Sequence, residues 1–141
     1  MQLQMIWPVS RWDPVILPAL PAGYLLRTAR PDDEAAIGEI LLASGFHDWD
    51  AKTYNQWFDW TIPDGIWLIE HAATGQAVCC TWAIHRRLRR YPYGGELGWV
   101  GIRPEHKGKA LSAITCAAAG ARLRNAGRAM SGTRAPTGRG P

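Results

Sequence analysis

The sequence predicts a mixed α/β (α+β) fold with the element order β-α-α-β-β-β-α. Three stretches carry that expectation. "PDDEAAIGEILLASG" repeats its apolar residues at helical spacing between a proline-acid start and a glycine stop. "GIWLIEHAATGQAVCCTWAIHRR" places two β-rich runs on either side of Ala-Thr-Gly-Gln, the composition of a hairpin turn. "ELGWVGI" at 96–102 reads as a further strand that runs through a short broken segment into an alanine-rich helix at about 109–126.

Taken in order, residues 1–23 hold Pro8, Pro14, Pro18 and Pro21, which removes backbone donors too often for a helix or a central strand, so this stretch is expected as an arm. "YLLRTAR" at 24–30 is the first strand. The first helix follows, with Pro31 and three acids at its start, Ile37, Ile40 and Leu41 on one face, and Gly45 as its stop. "DAKTYNQWFDW" at 50–60 spaces Tyr54, Trp57 and Phe58 along one helical face and ends before Pro63. The hairpin supplies the second and third strands, "YPYGG" turns the chain, and 96–102 is the fourth. After Gly127 the chain loses its apolar content, and 128–141 is expected to be a disordered tail. The folded domain is therefore placed at 24–127.

A chain of 141 residues, 47% of them hydrophobic and 20% charged, suits one domain with a real core. No apolar run approaches the roughly 20 residues needed to span a bilayer, and the N-terminus lacks the pattern of a signal peptide, so a cytoplasmic protein is expected. Cys79, Cys80 and Cys116 form no C-x-x-C pair and read as buried thiols. "FHDWD" around His47 lacks further ligands at a usable spacing, and no metal is implied. The net charge of +4 is uneven: "HRRLRRY" holds four arginines, and from Arg103 onward Glu105 is the lone acid. That imbalance fits an anionic partner. Nucleic acid is the weaker choice, because no aromatic-interleaved basic helix accompanies the arginines.

Lys107-Gly108-Lys109 joins the last strand to the last helix. A strand that turns through glycine and lysine directly into a helix aims backbone N–H groups and the positive helix end at one spot, which suits a phosphate. The same composition is also ordinary turn chemistry.

The order of elements and this loop together resemble the GNAT superfamily of N-acetyltransferases over about residues 24–127. Members carry an Arg/Gln-x-x-Gly-x-Gly/Ala signature here, often after Pro-Glu-His. This chain has Lys107-Gly108-Lys109-Ala110-Leu111-Ser112 after Pro104-Glu105-His106. The resemblance implies an N-acetyltransferase that takes acetyl-CoA as cosubstrate and passes the acetyl group to an amine, on a small molecule or a protein. It implies that Lys107, Gly108, Lys109, Ala110, Leu111 and Ser112 hold the pyrophosphate and that the backbone of Val100, Gly101 and Ile102 receives the pantetheine arm. Lys107, Ala110 and Ser112 each depart from the family pattern, which points to weakened rather than lost binding. Gly98 and Gly101 fit a close approach of the cosubstrate, and equally a need for room beside Trp82 or Trp99.

Attack on a thioester needs a neutral amine, and Glu96, at the start of the last strand, is the candidate for removing its proton. The competing reading pairs Glu96 with one of Arg86 to Arg90 across the hairpin. His85 and His106 are read as surface residues. The usual C-terminal strand-helix-strand of the family is not evident after Gly127, so a truncated or divergent member is expected, with an exposed strand edge prone to self-association. The alternative function is a non-catalytic remnant that binds CoA or a protein partner.

Overall fold

The computed structural model describes residues 5–6, 8, 11, 16–87, 89, 92–127 and 129–132, with backbone alone at 5–6 and 129–132. Six strands, β1 (Met5–Ile6), β2 (Tyr24–Thr28), β3 (Thr61–His71), β4 (Gln76–Ile84), β5 (Gly94–Ile102) and β6 (Ala129–Gly132), form one sheet in the order β1-β6-β5-β4-β3-β2. β2 to β5 are antiparallel neighbours, and β6 runs parallel to β5. Helices α1 (Glu34–Ala43), α2 (Ala51–Trp60) and α3 (Leu111–Asn125) complete the fold. The expected order β-α-α-β-β-β-α is present between β2 and α3.

β4 explains why the sequence of its core is apolar without alternation. Cys80, Trp82 and Ile84 enter the cluster with Ile37, Ile40 and Leu41 of α1. Cys79 and Ala83 turn to the other face, against Leu111 and Ile114 or Ala119 and Leu123 of α3. A strand covered by helices on both faces has no solvent side to make polar. All three cysteines are free thiols, with Cys79 and Cys80 buried and Cys116 half-buried. Burial pushes the Cys79, Cys80 and Cys116 thiols up.

Local signals set the helix starts. Asp50 accepts the Thr53 N–H at 2.7 Å and caps α2. Asp33, nearly buried, accepts two donors from Arg27 at 2.7 and 2.8 Å and the Arg30 N–H at 2.6 Å, while Arg27 Nε reaches Glu70 at 2.9 Å. One guanidinium therefore ties β2 to the start of α1 and to β3. The Arg27 guanidinium holds the Asp33 carboxyl below the usual carboxylate range.

Two elements differ from the sequence expectation. Pro63 lies inside β3, because the ladder skips from Thr61 to Ile66 and Asp64 adopts a φ of 54°. A bulge of this kind leaves the missing proline N–H outside the ladder. Residues 129–132, placed by the sequence in a disordered tail, form β6, which pairs through Gly94 and Gly95. Too few apolar residues follow Gly127 for that strand to show in the sequence, and its pairing comes from β5. β1 pairs with β6 on the sheet edge, so the arm contributes an edge strand. The rest of the expected tail, 128 and 133–141, lies outside the described residues.

Candidate functional site

The end of β5 and the loop after it are held from three directions. Ser44 Oγ, at the C-terminus of α1, accepts the Ile102 N–H at 2.9 Å. The Arg103 N–H donates to the Val78 carbonyl at 2.8 Å, its Nε to the Ala77 carbonyl at 3.0 Å, and its Nη2 to Glu39 at 2.9 Å. Pro104–His106 then makes one tight turn, Gly108 takes a φ of 82°, and Ala110 takes a φ of 58° before α3 begins.

Among the described residues, no acceptor faces the amides of 108–113, since Ala110 at the cap position has no side-chain oxygen to offer. These amides surround the positive end of a helix of 15 residues. The Ala110 Cβ costs free energy here, because a left-handed residue with a Cβ is strained by roughly 1–2 kcal/mol. Glycine is the unstrained choice at this position, which gives the family pattern a physical reason.

The candidate binding residues divide by what they present. Lys107 is exposed and has no side-chain partner among the described residues. Lys109 is exposed too, but its Nζ donates to Tyr24 Oη at 3.0 Å and lies over the Tyr24 ring. Leu111 is buried in the core and offers its backbone alone, while Ser112 Oγ lies 3.8 Å from Cys79 Sγ. Val100 is exposed, and Ile102 has its N–H committed to Ser44.

Neither glycine of the strand makes room for Trp82 or Trp99. A Cβ on Gly98 would meet Ile84 Cδ1 at 2.8 Å, and one on Gly101 would meet Ile40, Leu41 and Ser44 at 3.0 Å. Gly101 lets α1 approach the strand closely, since a Cβ there would press on these three side chains. Trp99 sits where the β4–β5 register shifts, with a φ of 49°. Strain of this order collects where surrounding structure imposes it.

Glu96 is found in the arrangement of the competing reading. Arg86 Nε donates to Glu96 Oε2 at 3.0 Å and Nη2 donates to Oε1 at 2.7 Å, so both carboxylate oxygens carry a guanidinium proton. The guanidinium lies 4.7 Å from the Trp57 ring centre and 5.6 Å from that of Trp60. Trp57 also packs against Trp99, at 5.3 Å between ring centres.

Both histidines differ from the surface residues that the sequence suggests. His85 is half-buried, and its Nδ1 donates to the Gly94 carbonyl at 2.7 Å. His106 Nδ1 lies 2.7 Å from Tyr24 Oη, and its ring centre lies 5.0 Å from that of His71. Tyr24 Oη accepts a hydrogen bond from Lys109 Nζ and shares a second with His106 Nδ1, whose direction follows the histidine tautomer. The signal missed in the sequence is Tyr24 itself, 82 positions from its partner.

Burial, with His71 and Lys109 nearby, holds the His106 imidazole below its usual value. An unfolded chain takes a proton on this histidine near the ordinary value of about 6.5, and the folded one only at lower pH. Stability from this group is thus complete above about pH 6.5 and declines as pH falls through the folded value. Melting curves between about pH 7.5 and 5 should fall less steeply for His106→Gln, which keeps an acceptor but cannot titrate. Equal slopes for the two proteins would remove His106 from the pH response.

Among the described residues, no helix is long and apolar enough to cross a membrane, and no three His, Cys, Asp or Glu side chains gather as a metal site. No family model and no curated protein matches the sequence. Solved structures do match. A GCN5-related N-acetyltransferase from Sphaerobacter thermophilus aligns at 20% identity with a TM-score of 0.67, over 91% of this chain and 42% of that one. A GCN5-related N-acetyltransferase from Kribbella flavida aligns at 21% identity with a TM-score of 0.57, over 84% of this chain and 43% of that one. N-acetylglutamate synthase from Neisseria gonorrhoeae, complexed with coenzyme A and N-acetyl-glutamate, aligns at 14% identity with a TM-score of 0.60, over 78% of this chain and 24% of that one. The chain spans less than half the length of each of these structures. With β2 to β5 antiparallel, helices on both faces and the open amides at the start of α3, the chain has the fold of the GCN5-related N-acetyltransferases.

Proposed function

We propose that the chain binds an acyl-CoA, with acetyl-CoA as the donor, and passes the acyl group to an amine by direct attack. The observation that carries this reading is the set of amides at 108–113 that make no hydrogen bond to an acceptor among the described residues, at the positive end of α3. Backbone donors fixed in this way suit a pyrophosphate, and Lys107 adds an uncommitted positive charge beside them. A CoA complex of the Neisseria gonorrhoeae synthase, which shares the fold, supports the same choice of ligand. In this reading Val100 and Gly101 run beside the pantetheine arm, and Ile102 contributes its backbone position rather than its N–H.

Glu96 is the acid-base group of the reading. With both oxygens bonded to Arg86, it takes the proton of the amine through a water on its remaining lone pairs. The same pair favours the second reading, a CoA-binding domain without turnover. Isothermal titration with CoA tests the shared part: saturable heat at up to millimolar CoA is expected, and no heat with no thermal shift would overturn both readings. Turnover of acetyl-CoA with generic amines then separates them.

A further inference from the structure

We propose that Arg86 is the anchor for the acceptor, and that the acceptor is an amine carrying a carboxylate, such as an amino acid. This rests on the transferase reading and names the substrate class for it.

A guanidinium is planar and presents two parallel pairs of N–H groups. In Arg86 the side pair, Nε and one proton of Nη2, is spent on Glu96. The end pair, Nη1 with the second proton of Nη2, has no acceptor among the described residues, and the side chain is 30% exposed. That end pair has the spacing of a carboxylate.

The arginine is also fixed before any ligand arrives. Trp57 and Trp60 lie against its guanidinium, and Glu96 sets its rotation within that plane. On the main chain beside it, the His85 N–H donates to the Trp60 carbonyl at 2.7 Å, and the His85 ring is bound to Gly94. An arginine held on both sides loses little side-chain freedom when a second carboxylate binds.

Charge selects the sign of the ligand. Arg87 and Arg89, both exposed in the same stretch of chain, add positive charge there, which favours an anionic group. An acceptor held by its carboxylate on the end pair of Arg86 has its amine within a few atoms of Glu96, the group proposed to remove the proton. Arg86 is accordingly a specificity-determining residue, and Glu96 serves both to orient it and to receive the proton.

The test measures binding to the full chain by tryptophan fluorescence, since Trp57 and Trp60 lie against Arg86. The probes are glycine, β-alanine and 4-aminobutyrate, each compared with the alkylamine that lacks its carboxylate. Saturable changes are expected with at least one amino acid and not with its matched amine. Arg86→Lys keeps the charge but loses the fork, and should weaken that binding by about tenfold or more, the loss expected for a charge-assisted hydrogen bond. Circular dichroism of Arg86→Lys confirms that the variant is folded. Equal binding of acid and amine, unchanged affinity in folded Arg86→Lys, or no binding by any probe would overturn the proposal. CoA titration separates the two levels: CoA heat without carboxylate binding removes the acceptor class alone, and carboxylate binding without CoA heat removes the transferase reading.

Discussion

Replacing Lys107 and Lys109 together by glutamate is expected to abolish CoA binding while leaving the fold intact. Lys107 is exposed and has no side-chain partner among the described residues, so its replacement reverses a charge beside the proposed pyrophosphate at almost no structural cost. Lys109 gives up its hydrogen bond to Tyr24 and its place over that ring, interactions worth roughly 0.5–1 kcal/mol each at an exposed site. Against that, two unit charges 4 Å apart interact by about 4 kcal/mol at an effective dielectric constant of 20, and the sign of each contact is inverted. Binding therefore loses several times what folding loses. Titration calorimetry checks the first quantity and thermal melting the second. A double variant that binds CoA with unchanged affinity would place the phosphate site elsewhere on the molecule.

Trp82→Ala is expected to lower stability by about 3–5 kcal/mol, the range for removing a large aromatic side chain from a core. Trp82 is fully buried and meets Trp49 and Tyr54 edge-on, at 5.7 and 5.4 Å between ring centres. It therefore joins β4 to α2 and to the segment before it, and its loss loosens the helix that carries Trp57. Urea denaturation reads the change directly, against a total stability of about 5–15 kcal/mol for a domain of ordinary kind. Trp82→Phe should cost much less. The buried Trp82 Nε1 has no hydrogen-bond partner among the described residues, and phenylalanine removes that unsatisfied donor while filling most of the space. A cost below about 1 kcal/mol for Trp82→Ala would mean that the aromatic cluster repacks without it.

The sequence by itself determined the elements whose causes are local. Pro31 with its acids and Gly45 bracket α1, Asp50 caps α2, and the hairpin around Gly75 follows from turn chemistry and β-rich runs. Lys107-Gly108-Lys109 before an alanine-rich stretch marked the strand-loop-helix unit for the same reason, because turn formation and helix propensity depend on neighbours in the chain. Tertiary structure alone decided the rest. Whether Glu96 was free or paired depended on where Arg86, after β4, came to lie against Trp57 and Trp60 of α2. Whether Ala110 was harmless depended on the left-handed backbone it adopts in the folded loop, with a φ of 58°. Gly101 is explained by α1, and His106 by Tyr24 across the sheet. β6 could not be seen in the sequence, because a short strand with little apolar content is held by the backbones of its neighbours, β5 and β1. A short-range pattern can specify a helix or a turn, but the partner of a side chain is fixed only when packing brings distant segments within hydrogen-bond reach.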